Sequence, residues 1–203
     1  LLNAIFYFNF MFKKYFMQVF KLISVNIILL LISANLKSQT SADSISPTFP
    51  KVIFVNKSNE IMLYFDEKRK AYEVPSNGFI EGPIDFEKYI DSLASDFGIS
   101  YDSIKLGGIF TYIYPTSYST FIRPYFMVYT IGSNNVSDPR CKWFTLDQTL
   151  KEIKYPASRS IVRQLMEKPK NVWAATFEEY GYTNPVDESK IKFKILSDFK
   201  TLH

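Results

Sequence analysis

Phe86, Tyr89, Ile90, Leu93 and Phe97 recur at spacings of three and four, and Gly98 closes the run. A period near 3.6 gathers these five side chains on one stripe, so residues 84–97 are predicted to form an amphipathic helix stopped at Gly98. Such a stripe is expected to point inward, against another element. The flanking segments supply strands. Val52 to Val55 is an apolar run followed by turn residues from Asn56 to Asn59 and then by Ile61 to Phe65, which reads as a strand pair. Tyr72 to Val74 reads as a short strand leading through Pro75 into the loop SNGFIEGP, where Asn77, Gly78 and Gly82 suit positive φ.

Beyond the helix, Lys105 to Tyr114 and Phe121 to Ile131 are rich in β-branched and aromatic residues, and PTSYST separates them as in a long hairpin. Lys142 to Phe144 reads as a short strand. Thr145 or Asp147 then caps a helix around Leu150, and Pro156 opens another in which Ile161, Leu165 and Met166 share a face, ended by Pro169. Val172 to Phe177 and Ile191 to Leu196 read as closing strands. Strands, helix, strands, two helices and strands make an α+β order, without the regular alternation of a doubly wound sheet.

Upstream of this domain, Lys13, Lys14 and Lys21 precede an apolar run from Leu22 to Ala34 and then a polar stretch with small residues, the three-part plan of a secretory signal peptide. A spanning helix needs about 20 apolar residues, more than this run offers. Residues 1–39 are therefore expected to be a cleaved leader on a periplasmic or extracellular protein, with membrane contact only through an uncleaved leader. Because the sequence opens on Leu1, residues 1–10 read as lying upstream of a start at Met11 or Met17. The competing reading is a misassigned start on a cytosolic protein. Residues 40–50, TSADSISPTFP, have the composition of an extended linker, and residues 51–203 are expected to form one domain around one core.

The formal charge of +4 says little about partners, because of where it sits. Lys13, Lys14, Lys21 and Lys37 lie in residues 1–41 with no acid, which leaves 20 bases and 20 acids for the rest. A neutral domain lacks the basic surplus that neutralises phosphates, so nucleic acid is not the expected partner. His203 is the only His and Cys141 the only Cys. That excludes a zinc finger and a disulfide framework, and a Ser-His-Asp triad or a Cys-His pair is not expected with the single His at position 203. Cys141 is expected to be an inert, small apolar residue. Carboxylate, hydroxyl, Lys, Arg or Tyr chemistry remains, together with an oxygen-liganded ion such as magnesium.

VIFVNKSNEIMLYF followed by YEVPSNGFIEG, then LGGIFTY, IRPYFMVYTI and KWFTLDQTLKEI, resemble in that order the successive segments of the Nudix hydrolases, and the likeness runs from Lys51 to His203. It implies an α/β/α sandwich: a mixed sheet between the 84–97 helix and the helices after Trp143, with the five stripe residues inward. It also implies a signature box of Gly, five residues, Glu, seven residues, Arg-Glu, an aliphatic, any residue, Glu-Glu, any residue, Gly and an aliphatic. Counting back from Gly98 and Ile99 puts Asn77, Pro83, Asp91, Ser92, Leu93, Ser95, Asp96, Gly98 and Ile99 on those positions.

In the family, box carboxylates on one helix face hold magnesium, which bridges a diphosphate and positions water. Here Ser92, Ser95 and Asp96 fall at i, i+3 and i+4, and Asp96 is the one carboxylate among them. Asp91 stands where the family has Arg, and SDPRCKW offers Asp138 beside Arg140 where the family often carries Glu. The expectation is a degenerate centre with no tight magnesium site, on an exported protein that serves as a binding or interaction domain for a nucleotide-like small molecule or a protein. The alternatives are a magnesium-dependent hydrolase of nucleoside-diphosphate-linked substrates, using Asp96 with Glu81 or Asp85, and a structural domain of the cell surface. Arg123, before Pro124, is a candidate to hold a phosphate, with an ordinary surface pairing equally open. Tyr112, Tyr114, Tyr118, Tyr125 and Tyr129, with Phe110, Phe121 and Phe126, read first as core and strand surface and second as an aromatic cleft.

Overall fold

The computed structural model describes residues 48–80, 82–115, 119–132 and 136–202. The predicted leader, most of the predicted linker, Glu81, Tyr118 and His203 lie outside them. In chain order the elements are β1 (Lys51–Val55), β2 (Ile61–Asp66), β3 (Ala71–Glu73), α1 (Phe86–Phe97), β4 (Tyr101–Tyr114), β5 (Ser119–Thr130) and β6 (Cys141–Phe144). They continue with α2 (Leu146–Glu152), α3 (Pro156–Glu167), β7 (Val172–Tyr180) and β8 (Lys192–Leu202). The strands form one sheet in the order β3-β2-β1-β5-β4-β7-β8, and β6 pairs with β2 off that path. β1 with β5 and β4 with β7 are parallel, and the other pairs are antiparallel, so the sheet is mixed as expected.

Alternation along β1 and β5 divides the interior into two layers. Val52, Phe54, Phe126 and Val128 face α1 and bury Ile90, Leu93, Ala94 and Phe97, while Phe86 and Tyr89 pack partly buried on the same cluster. All five residues of the periodic stripe are thus turned inward. Truncating Leu93, 1% exposed, would cost about 2–5 kcal/mol through lost transfer energy and the cavity left behind. On the other face, Ile53, Val55, Tyr125 and Met127 meet Ile161, Val162 and Leu165 of α3 and the aromatic rows of β4 and β7. The expected three-layer arrangement is therefore present, with α1 on one side and α2 and α3 on the other.

Local chemistry sets the element ends. Asp85 caps α1, its side chain accepting from Lys88 N, so Ile84 lies outside the helix predicted to include it. Gly98 ends α1 in the left-handed conformation at φ 68°. Thr145 and Gln148 form a reciprocal capping box on α2. β4 begins at Tyr101 and β8 runs to Leu202, both longer than their apolar runs, because hydrogen-bonded pairing carries polar residues such as Ser103 and Lys200 in the ladder. Thr48, Phe49 and Pro50 are already tied in: Thr48 N donates to Ile80 O, Phe49 N donates to Ile122 O, and Pro50 is buried. This lays Phe49 beside the start of β5, where the sheet borders a cavity.

Candidate functional site

The box positions of α1 share one solvent-facing side. Ser92, Ser95 and Asp96 are exposed, while Leu93, Ala94 and Phe97 between them are buried. The neighbouring acids have local partners. Asp91 accepts from the Tyr101 hydroxyl on β4, a bond that pushes the phenol up to about 12. Asp85 is held below the usual carboxylate range by the Lys88 N–H that it caps and by the Lys88 side chain, which identifies it as the helix cap. Asp138 receives Arg140 Nε at 2.9 Å and Nη2 at 2.6 Å, and those bonds lower its pKa. Glu81 lies outside the described residues. Among the described residues no group of three or more His, Cys, Asp or Glu is placed to hold a metal ion. Two hydroxyls and one carboxylate do not fit magnesium, a hard ion that takes carboxylates and waters.

A cavity of about 480 Å³ is built largely on the other side of the sheet. Lys51 shares the strand parity of Ile53 and Val55, and Phe121 and Arg123 share that of Tyr125 and Met127, so these side chains project away from α1. Phe49 and Phe79 close the cavity from the entry segments, Tyr114 comes from β4, and Tyr155 and Tyr182 come from the segments around α3 and after β7. The rings touch in series: Phe49 to Phe79 at 4.5 Å, Phe79 to Phe121 at 5.1 Å, Phe121 to Tyr114 at 5.2 Å, and Tyr114 to Tyr182 at 6.0 Å between centroids.

Charge lies within this aromatic arc. Arg69 is 3.8 Å from Asp66, and Lys51 Nζ is 3.7 Å from Glu73 while donating to Val74 O at 3.1 Å. Burial pulls the Lys51 amine down to about 8, with Glu73 opposing the shift. The Arg123 guanidinium carbon lies 3.9 Å over the ring of Tyr112 and 4.9 Å over that of Phe49. Its Nη2 donates to the Tyr114 hydroxyl, and its Nε is buried without an acceptor. No described carboxylate forms an ion pair with it. Glu179 stands behind Tyr182 with its oxygens occupied, one by Ala157 N at 2.7 Å and one by the Tyr182 hydroxyl at 2.6 Å, and burial raises its pKa.

The residues singled out in the sequence therefore separate. Ser92, Ser95 and Asp96 come together on α1, whereas Arg123 belongs to the cavity across the sheet and makes no surface ion pair. Of the aromatic set, Tyr114 and Phe121 line the cavity, while Phe110, Tyr112 and Tyr125 are fully buried core. Phe49, Lys51, Arg69, Tyr155 and Tyr182 were not foreseen. Lys51 carries a readable signal, a charge at an inward position of an otherwise apolar strand; the others are scattered through the chain and only the fold assembles them. Cys141 is buried, and burial pushes its thiol up to about 12, which fits an inert residue.

No family model and no curated protein sequence matches the chain. Solved structures do. A mutator MutT protein from Bacillus halodurans superposes with a TM-score of 0.54 at 17% identity, over 76% of this chain and 97% of that one. A MutT protein from Methanosarcina mazei Go1 gives 0.49 at 14% identity, over 64% and 99%. An Ap4A hydrolase from C. elegans gives 0.47 at 14% identity, over 60% and 96%. The first of these establishes the fold: the domain is Nudix-like, an α+β structure with a mixed sheet and three helices.

Proposed function

We propose that this chain is an exported Nudix-like domain that binds a small molecule and does not cleave it, its pyrophosphohydrolase centre being degenerate. The observation that carries the reading is the exposed side of α1, where Asp96 is the single carboxylate and Ser92 and Ser95 occupy the positions that would supply the others. The nearby acids reinforce it, since Asp85 caps the helix, Asp91 is bonded to Tyr101, and Asp138 is held by Arg140. A ring-lined cavity on the opposite side of the sheet gives a small molecule a place away from that helix. Export rests on the order of lysines, apolar run and polar stretch at the start of the sequence.

The test is phosphate release from a panel of nucleoside-diphosphate compounds with magnesium, using the full chain and its Asp96→Ala variant. Rates at the no-protein background for both proteins are expected. Release that depends on magnesium and disappears in Asp96→Ala would replace this reading with a hydrolase.

A further inference from the structure

The cavity across the sheet from α1 holds three cations and two carboxylates: Lys51, Arg69 and Arg123 against Asp66 and Glu73. Two pairs account for four of these charges, Lys51 with Glu73 and Arg69 with Asp66. Arg123 is the remainder. Its guanidinium carbon lies over the rings of Tyr112 and Phe49, one terminal nitrogen is taken by Tyr114, and its Nε is buried without an acceptor. A guanidinium packed against rings in this way keeps donors along its edge, where the fork of N–H groups matches two oxygens of one planar anion.

The walls specify the rest of the ligand. The arc of Phe49, Phe79, Phe121 and Tyr114 presents ring faces and edges at stacking distances, and Phe79, 54% exposed, forms its open rim. A volume of about 480 Å³ is at the compact end of small-molecule sites, which run from about 300 to 1,000 Å³. On the reading that α1 holds no catalytic ion, we infer that this cavity binds a compact ring-bearing carboxylate, its charge on Arg123 and its ring in the Phe49–Phe79–Phe121 arc, without any metal. Glu179, behind Tyr182 with both its oxygens already bonded, offsets part of the Arg123 charge, so the site takes at most a monoanion. A nucleotide, carrying two or more negative charges, would exceed it and meet Glu73 and Asp66.

The experiment is calorimetric titration of the full chain with 2-naphthoate in chelator, compared with 2-naphthamide, which keeps the shape and removes the charge, and with adenosine monophosphate. The expected result is naphthoate binding at least tenfold tighter than either comparison compound, unchanged when magnesium replaces chelator. Arg123→Gln should weaken naphthoate binding tenfold or more while Arg123→Lys retains part of it. Phe79→Ala, a rim change that leaves the core untouched, should weaken it several-fold. If Arg123→Gln does not fold, the amide comparison and Phe79→Ala decide. Equal binding of naphthoate and amide, no naphthoate binding, tighter adenosine monophosphate binding, or indifference of a folded Arg123→Gln variant would each overturn the inference. With the nucleotide panel still uncleaved, such a result removes this ligand assignment alone; magnesium-dependent cleavage would remove the binding-domain reading beneath it.

Discussion

Lys51 Nζ stands 3.7 Å from a carboxylate oxygen of Glu73 in a residue only 4% exposed, so the sheet buries an amine whose counter-charge is close but not in tight contact. Burial outweighs that attraction and sets the amine at about 8, against an ordinary value of 10.5. Between those values the unfolded chain binds more protons than the folded one, so the stability this group contributes rises with pH across the window. Relative to a Lys51→Met variant, the unmodified chain should gain stability between about pH 8 and pH 10, measured by denaturant titration. A constant gap between the two proteins over that range would show that the amine titrates normally.

The helix containing the box was legible because its signals are local, a stripe at three and four spacing and a glycine to end it, whereas the Asp85 cap that excludes Ile84 was not read. Whereas the layering came from the family resemblance, the element order was legible for the same reason, from apolar runs and from Pro156 opening a helix. The cavity was not, since Phe49, Lys51, Arg123, Tyr155 and Tyr182 are brought together only by the β1–β5 pairing and by the turn of chain around α3. Arg123 was readable as an anion binder from its type, but its separation from Asp96 depends on strand parity and on which side α1 packs. The true extents of β4 and β8 were hidden because backbone pairing, not side-chain burial, extends them.

Gly98 ends α1 close against Ser137, whose N–H donates to Phe97 O and whose hydroxyl donates to Asp96 O. A methyl group there would come within 3.0 Å of Ser137 Oγ and 3.1 Å of its Cβ, at a φ of 68° that side chains seldom adopt. Gly98→Ala should lower unfolding free energy by roughly 1–2 kcal/mol in urea titrations, combining left-handed strain with the displacement of Ser137. A loss below about 0.5 kcal/mol would mean that the turn relaxes freely.

Thr149 is fully buried in α2, and its hydroxyl has no partner. Replacing it with a similarly branched apolar side chain removes an unsatisfied polar atom, so Thr149→Val should stabilise the domain by about 1 kcal/mol. Thermal unfolding of the two proteins measures this, and a lower melting temperature in the variant would contradict it.

Ser92 and Ser95 already flank Asp96 on the exposed side of α1. Ser92→Glu with Ser95→Glu places three carboxylates at i, i+3 and i+4, which repel one another in chelator and gather a divalent cation when it is supplied. The double variant should melt below the unmodified chain in chelator and recover on adding magnesium, in proportion to the logarithm of ion concentration over its dissociation constant. A melting temperature indifferent to magnesium would show that the helix face does not present these positions together.

Magnesium titration of the unmodified full chain by calorimetry reads directly whether α1 holds an ion. With one carboxylate on the box face of α1, no saturable heat is expected at micromolar ion concentrations, with an identical trace for Asp96→Ala. A site of micromolar affinity that vanishes in Asp96→Ala would contradict it, showing that acids beyond that face complete an ion centre on α1.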